Sequence, residues 1–317
     1  MGATTHDLYG GAGDVQPATP GSYGEPPRGR PLPDAAHPGA VRLQIADLAR
    51  SIAYYGRTLG LRVVRQEGGH AVLAAEGTDT PLVELHERAG VRPAPRGRLG
   101  LYHFAILLPS RAALGRFARH LGAVGERAGA SDHLVSEAFY LTDPDGLGIE
   151  VYADRARSAW RRSGRELMMA TDPIDMRGLV DVAGDEPWSG MPAGTVMGHV
   201  HLHVGDLVAA SAFYADGLGF DRMVWRYPGA LFLGAGGYHH HLGVNTWAGA
   251  GARAAGDDEA RLLEWTLVLP DAAAVAAVAD GLTEGGFPVE RLADGEFLVR
   301  DPWGTAVRVG IEPGPAR

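Results

Sequence analysis

The sequence predicts an α+β fold built from four βαβββ units arranged as two pairs, and three observations carry that prediction. First, the chain repeats itself: AVRLQIADLARSIAYYGRTLGL (Ala40 to Leu61) parallels HVHLHVGDLVAASAFYADGLGF (His199 to Phe220). In both, an aspartate (Asp47, Asp206) precedes a tyrosine by eight residues (Tyr55, Tyr214) and a glycine by thirteen (Gly60, Gly219). Second, YHFAILLPSR around Pro109 matches EWTLVLPDAA around Pro270, and FYLTDPDGLGIEVY (Phe139 to Tyr152) matches FLVRDPWGTAVRV (Phe297 to Val309). Third, each unit opens on an alternating strand (VRLQI, HFAIL, HVHLHV, WTLVL), continues into an Ala/Leu-rich helical stretch and ends in short strands punctuated by glycine. A helix after the first strand only, with the other strands in meander, lets each sheet bury one face under helices and curl the other around a pocket.

The elements follow in order. Residues 1–38 carry many Gly and Pro, few large apolar residues and no period, which predicts a mobile tail. Units one and two occupy residues 39–155. Residues 156–193, with their Arg, Asp, Pro and Gly, form a linker in which SAWRRSGRELMMA is expected to be partly helical, and units three and four fill residues 194–317.

Composition narrows the chemistry. With no cysteine there are no disulfides, thiolate nucleophiles or zinc-thiolate sites. All 29 basic residues are arginine, so neither a Schiff-base lysine nor a P-loop lysine exists, and the remaining metal ligands are His, Asp and Glu. A net charge of −9 without a dense arginine run speaks against a nucleic-acid partner. The apolar run Ala272 to Ala279 is far below the ~20 residues that cross a bilayer, so no membrane partner is expected. The start MGATTHDLYG has no basic segment followed by an apolar one, which leaves a cytoplasmic location as the expectation. Whether the chain forms a homo-oligomer is left open.

The histidines cluster: six of the 13 fall between His199 and His241. His199, His201 and His203 alternate, so in a strand they project from one face, while an extended His239, His240, His241 must split. Equivalent repeat positions select the metal candidates. His199 stands seven residues before Asp206, and His103 stands seven before Ser110; Glu150 lies in the last strand of unit two between apolar Ile149 and Val151. Unit four has Glu264 and Arg308 at the corresponding positions, and unit one has Ala40 in place of the histidine. Two imidazoles and one carboxylate with open positions suit non-haem Fe(II), and Mn(II) fits the same donors. His201 is the reserve ligand if the strand is offset.

These stretches together, LYHFAILLPS, SDHLVSEAFYLTDPDGLGIEVY, GHVHLHVGDLVAASAFYADGLGF and ALFLGAGGYHHHLGVNTW, resemble the vicinal oxygen chelate superfamily, and within it the type I extradiol ring-cleaving dioxygenases of the catechol 2,3-dioxygenase-like group. The resemblance spans residues 39–312. It implies that His103, His199 and Glu150 bind iron, that His240 is the acid/base residue with a pKa near neutrality, that Tyr140 hydrogen-bonds a substrate oxygen and that His133 lines the pocket. It further implies a catechol-like substrate, O2 as co-substrate, and ring opening beside the diol. In the best-known two-domain members the unit with the base precedes the carboxylate unit, whereas here the carboxylate unit comes first. Units two and three therefore have to face one another, since pairing one with two and three with four separates His103 from His199.

Alternatives stand beside these readings. Tyr140 is also explained as a sheet cap with its ring in the core, and His133 as a loop residue beside Asp132. His239 and His241 either support His240 or face solvent, and Tyr55, Tyr214 and Phe213 are most simply core. A glyoxalase-like isomerase or lyase of the same fold needs a fourth ligand, commonly a carboxylate, which the matching HLGVNTW segment does not supply. A metal-free small-molecule binding (resistance) protein needs no first-strand histidines.

Overall fold

The computed structural model describes residues 2–10 and 15–311. Alternation in the first strand of unit one, His37–Ile45, turns Val41, Leu43 and Ile45 into the helix-covered core and leaves Arg42 and Gln44 on the opposite face. The same division holds in unit two, where Phe104 and Ile106 are buried against helices and His103 lies on the other face with Ala105.

Two large sheets result. The first runs Asp221–Val224, Ala230–Gly234, Leu242–Asn245, Val196–His203, Arg98–Leu107, Gly148–Asp154, Ser136–Thr142, Gly129–Asp132, so it is made of units three and two. The second runs Val289–Arg291, Phe297–Arg300, Ala306–Ile311, Arg261–Leu269, His37–Ile45, Val83–Glu87, His70–Ala74, Arg62–Glu67, from units four and one. In each sheet the two first strands pair antiparallel at the centre, His201 opposite His103 in one and Trp265 opposite Val41 in the other. Units two and three thus face one another, the arrangement that the metal candidates require.

The helices cover the outer faces. Arg111–Val124 starts at Ser110, whose hydroxyl accepts the Ala113 amide at 3.2 Å, packs Leu114, Phe117 and Leu121 inward, and stops at Gly125 in the left-handed conformation, φ 72°. The helices of units one and three end in wider turns, Tyr55–Leu59 and Ser211–Gly217, which bring Tyr55 and Tyr214 wholly into the core. Their hydroxyls are satisfied in the next unit. Tyr55 donates to Asp143 at 3.1 Å and Tyr214 to Asp301 at 2.9 Å, each aspartate opening a turn that leads into the last strand of its unit. Unit one is thereby tied to unit two, and unit three to unit four, across the two sheets. No helix among the described residues is long and apolar enough to cross a membrane.

Two expectations are corrected. The described part of residues 1–38 is packed: Thr5–Tyr9 is a helix with a Thr4/Asp7 capping box, Val15–Pro17 pairs with Arg161–Ser163, and Ala18, Tyr23, Leu32 and Ala36 are buried. The composition of this segment averages low in large apolar residues, but Ala18 and Tyr23 enter a second core with Trp160, Leu167, Met169, Tyr227 and Tyr238. In the linker, SAWRRSGRELMMA forms an antiparallel hairpin, Arg161–Ser163 with Glu166–Leu167, instead of a partial helix beyond the single turn Arg157–Ala159. Gly164 at φ 61° makes the reversal, and the buried Trp160, Leu167 and Met169 are apolar anchors for a sheet. The linker's α-helix is Met176–Asp181. Residues 1, 11–14 and 312–317 of the expected tail and last unit lie outside the described residues.

Candidate metal centre and cavity

The central strands of the first sheet set the site. His103 on Arg98–Leu107, His199 on Val196–His203 and Glu150 on Gly148–Asp154 project from the same face, opposite the helices. Glu150 Oε2 lies 3.0 Å from His103 Nε2 and 3.2 Å from His199 Nε2, and all three side chains are buried. The three ligand atoms fall within 4.8 Å of one another. Burial pushes His199 down to about 4 despite the pull of Glu150, so at neutral pH its ring is uncharged and offers a lone pair. Burial acts on Glu150 in the opposite sense, but His199 and His103 outweigh it and hold the carboxyl well below its usual range. An uncharged His199 imidazole, the His103 imidazole and one carboxylate therefore converge, and His103 Nε2 has no hydrogen-bond partner of acceptable geometry.

Close approach at this centre depends on two glycines. A Cβ on Gly198 would fall 1.9 Å from the Tyr152 hydroxyl, whose ring packs 5.0 Å from His199. Gly243 is the unit-three counterpart of Glu150: it sits opposite His201, two residues after His199, as Glu150 sits opposite Ala105, two residues after His103. A Cβ there would meet the His201 ring at 2.9 Å. His201 consequently occupies the place from which a second carboxylate would reach the centre. Its Nε2 accepts from Asn245 Nδ2 at 2.9 Å, and it is not part of the His103–Glu150–His199 cluster.

The remaining sequence candidates gather around the triad. His240 is buried with its ring 4.1 Å from that of His199, and its Nδ1 is 2.7 Å from His239 Nδ1. His239 Nε2 in turn donates to Asp154 Oδ1 at 2.8 Å, and His241 stacks on Tyr238 while its Nδ1 accepts the Ala235 amide. The triplet is not an extended strand that sends His240 away from its neighbours: His240 alone lines the cavity, His239 bonds to it, and His239 and His241 are buried supports. Burial, followed by His199 and His239, holds His240 well below the usual histidine value, which corrects the expectation of a pKa near neutrality. Tyr140 lies 5.5 Å from the His103 ring, and its hydroxyl is 2.5 Å from His133 Nε2. His133 Nδ1 donates to the Ala170 carbonyl at 2.6 Å, which leaves Nε2 turned to the Tyr140 hydroxyl. Burial and then Glu150 raise Tyr140 well above the ordinary phenol value, keeping it protonated.

His103, Glu150, His199, His240, Tyr140 and His133 line one cavity of about 890 Å³. Its wall includes His203, from the alternating histidines, and residues that the sequence did not single out: Tyr102, Tyr227, Phe232 and Trp247. Tyr102 packs 4.7 Å from His203 and 5.7 Å edge-on to Trp247, forming an aromatic rim whose two large rings are about 40% exposed. Tyr102 neighbours a ligand candidate, which was a usable signal; Trp247 comes from a loop whose position the sequence did not indicate.

Comparisons with known proteins agree with this geometry. Residues 37–151 match the Glyoxalase/Bleomycin resistance protein/Dioxygenase superfamily. Catechol-2,3-dioxygenase of Bacillus subtilis (strain 168) is 43% identical over 269 residues, covering 84% of this chain and 94% of that protein. Among solved structures, a Bacillus subtilis protein carrying a provisional dioxygenase description superposes with a TM-score of 0.63 at 14% identity, over 90% of this chain and 87% of that one. Glyoxalase I of Zea mays superposes with a TM-score of 0.54 at 20% identity, over 88% and 93%. These two structural likenesses concern the fold.

Proposed function

The chain belongs to the Glyoxalase/Bleomycin resistance protein/Dioxygenase superfamily, and within it we propose that it is an Fe(II)-dependent extradiol dioxygenase that opens a catechol-type ring with O2. The single observation that carries this reading is the convergence of His103, His199 and Glu150 within 4.8 Å, buried and facing a cavity. The donor set fits the ion: two imidazoles and an ionised carboxylate are at hand, His103 Nε2 is otherwise unpartnered, and Gly243 withholds the second carboxylate of a glyoxalase-like centre. Held by His103, His199 and Glu150, Fe(II) would make a bound diol more acidic and supply the redox chemistry that O2 requires.

The surrounding side chains supply the proton handling. With His239 as the Nε2–H tautomer bonded to Asp154, its Nδ1 accepts from His240 Nδ1, which leaves the His240 Nε2 lone pair for the cavity. His240 is a weak base at rest, and the negative charge of an ionising diol offsets the cost of forming a buried imidazolium beside it. His240 then takes the second diol proton and returns it later. Turned away from His133, the Tyr140 hydroxyl can donate to a substrate oxygen without any change in proton count. The Tyr102, Trp247 and Phe232 faces give the aromatic ring an apolar seat.

The test is anaerobic loading with Fe(II), then addition of catechol and air, with O2 uptake and the visible absorbance of the ring-opened product as readouts. Wild-type protein is expected to consume O2 and turn yellow, and His199→Ala and Glu150→Ala to do neither. Turnover unchanged in both variants would remove the assignment. Bound iron without O2 uptake by any catechol would favour a lyase, and no bound iron a binding protein.

A further inference from the structure

We propose that the second sheet carries a metal site of its own, in which His70, Glu84 and His86 hold a borderline divalent transition ion of the Zn(II) class. The position follows from register. Arg42 pairs with Glu84 in unit one as Ala105 pairs with Glu150 in unit two, so Glu84 is the unit-one counterpart of Glu150. The histidine positions beside it have changed to Ala40 and Glu264, and guanidinium groups close the middle of this sheet. Arg42 spans Glu84 at 3.0 Å and Glu264 at 2.9 Å, and Arg308 reaches Glu264 at 2.6 Å and Glu296 at 2.9 Å.

New imidazoles stand on the outer side of Glu84. His70 on His70–Ala74 is directly opposite His86 on Val83–Glu87, and their rings stack with centroids 4.2 Å apart. Their Nε2 atoms lie 3.5 and 3.8 Å from Glu84 Oε2, and both are buried atoms without a hydrogen-bond partner. Buried ring nitrogens left unbonded are costly. The spacing is too long for good hydrogen bonds and close to that of ligands sharing one ion: Zn–N and Zn–O bonds of about 2.0–2.2 Å set tetrahedral neighbours roughly 3.3–3.6 Å apart, which the 3.5 Å distance meets and the 3.8 Å distance slightly exceeds. All three donor atoms fall within 4.8 Å of one another.

Charge permits the ion. Within this network three carboxylates, Glu84, Glu264 and Glu296, face two guanidiniums, Arg42 and Arg308, so one negative charge is unmatched. The His70 and His86 side chains are 27% and 34% exposed, which leaves the remaining coordination position to water. Because the ligands come from two adjacent strands joined by the loop at residues 75–82, the ion clamps this hairpin and stabilises the folded chain by mass action.

The test counts ions on the whole chain. Apoprotein equilibrated with buffered Zn(II) is expected to hold two ions per chain by elemental analysis, falling to one in His70→Asn and in His86→Asn. Zn(II) is also expected to raise the melting temperature of His199→Ala, in which the cavity site is disabled, and to lose that effect when His86→Asn is added. Melting of the metal-free forms shows whether either histidine variant harms the fold by itself, and the other then serves. An ion count the same in both histidine variants as in the wild type, or no effect of Zn(II) on the melting of His199→Ala, would overturn the proposal. Neither result bears on ring cleavage.

Discussion

Asp143 is buried at the head of the turn that delivers the Glu150 strand, and its protonation is predicted to control stability between mildly acidic and neutral pH. Its Oδ1 accepts the Asp145 and Leu147 amides at 2.9 and 2.8 Å, and its Oδ2 accepts the Tyr55 hydroxyl at 3.1 Å. Burial is the largest influence and, with Asp145 nearby, raises the carboxyl from 3.8 to about 6 against the pull of those bonds. The folded state therefore keeps a proton that the unfolded chain has released, and stability falls as pH rises from about 4 to about 6, then levels. At about 1.4 kcal/mol per pH unit the loss is about 3 kcal/mol. Asp143→Asn removes the titration but keeps the geometry, since the amide oxygen accepts both backbone amides and the amide nitrogen donates to Tyr55. Urea unfolding at steps across this window is expected to show the variant gaining about 3 kcal/mol on the wild type between its acidic and neutral ends. Parallel profiles for the two proteins would refute the reasoning, because they would mean that Asp143 ionises alike folded and unfolded.

Further outcomes concern the site. Gly243→Ala pushes a methyl into the His201 ring and is expected to cost about 1–3 kcal/mol while iron binding survives, measured by melting and metal content. Iron loss without destabilisation would instead identify His201 as a ligand. His240→Gln is expected to lower kcat about 10²–10⁴-fold with iron content unchanged, as read by O2 uptake; an unaltered kcat would mean that the proton leaves by another route.

How much of the site was legible depended on the kind of signal. The alternation of His199, His201 and His203 placed all three on one face because a strand has period two, and that face is where they lie. It could not choose among them. The repeat position seven residues before Asp206 selected His199, and the pairing of Val196–His203 with Arg98–Leu107, which includes register shifts, sets His201 against His103 while His199 reaches Glu150. For the triplet His239 to His241, the solvent-facing alternative was excluded by Asp154 and Trp160, which come from distant segments, and by the adjacent Tyr238. Tyr55 and Tyr214, read as core, are core, and their hydroxyl bonds to Asp143 and Asp301 link units that the sequence showed only as repeats.

Misread segments share a cause. In residues 1–38 and 156–193 the apolar residues are sparse, and their value lies in one another: Tyr23 and Ala18 from the first segment pack with Trp160, Leu167 and Met169 from the second. Local composition cannot register an anchor whose partner is more than a hundred residues away.

By itself the sequence determined the α+β units, their fourfold repetition and the residue types able to ligate a metal, because strand alternation, helix caps and turn chemistry are short-range and written in neighbouring residues. Only the tertiary structure decided that units two and three share a sheet, that His103, His199 and Glu150 meet, and that Gly243 makes room for His201. Those outcomes depend on strand pairing between distant parts of the chain, where shifting the register by a single residue would turn every ligand to the opposite face.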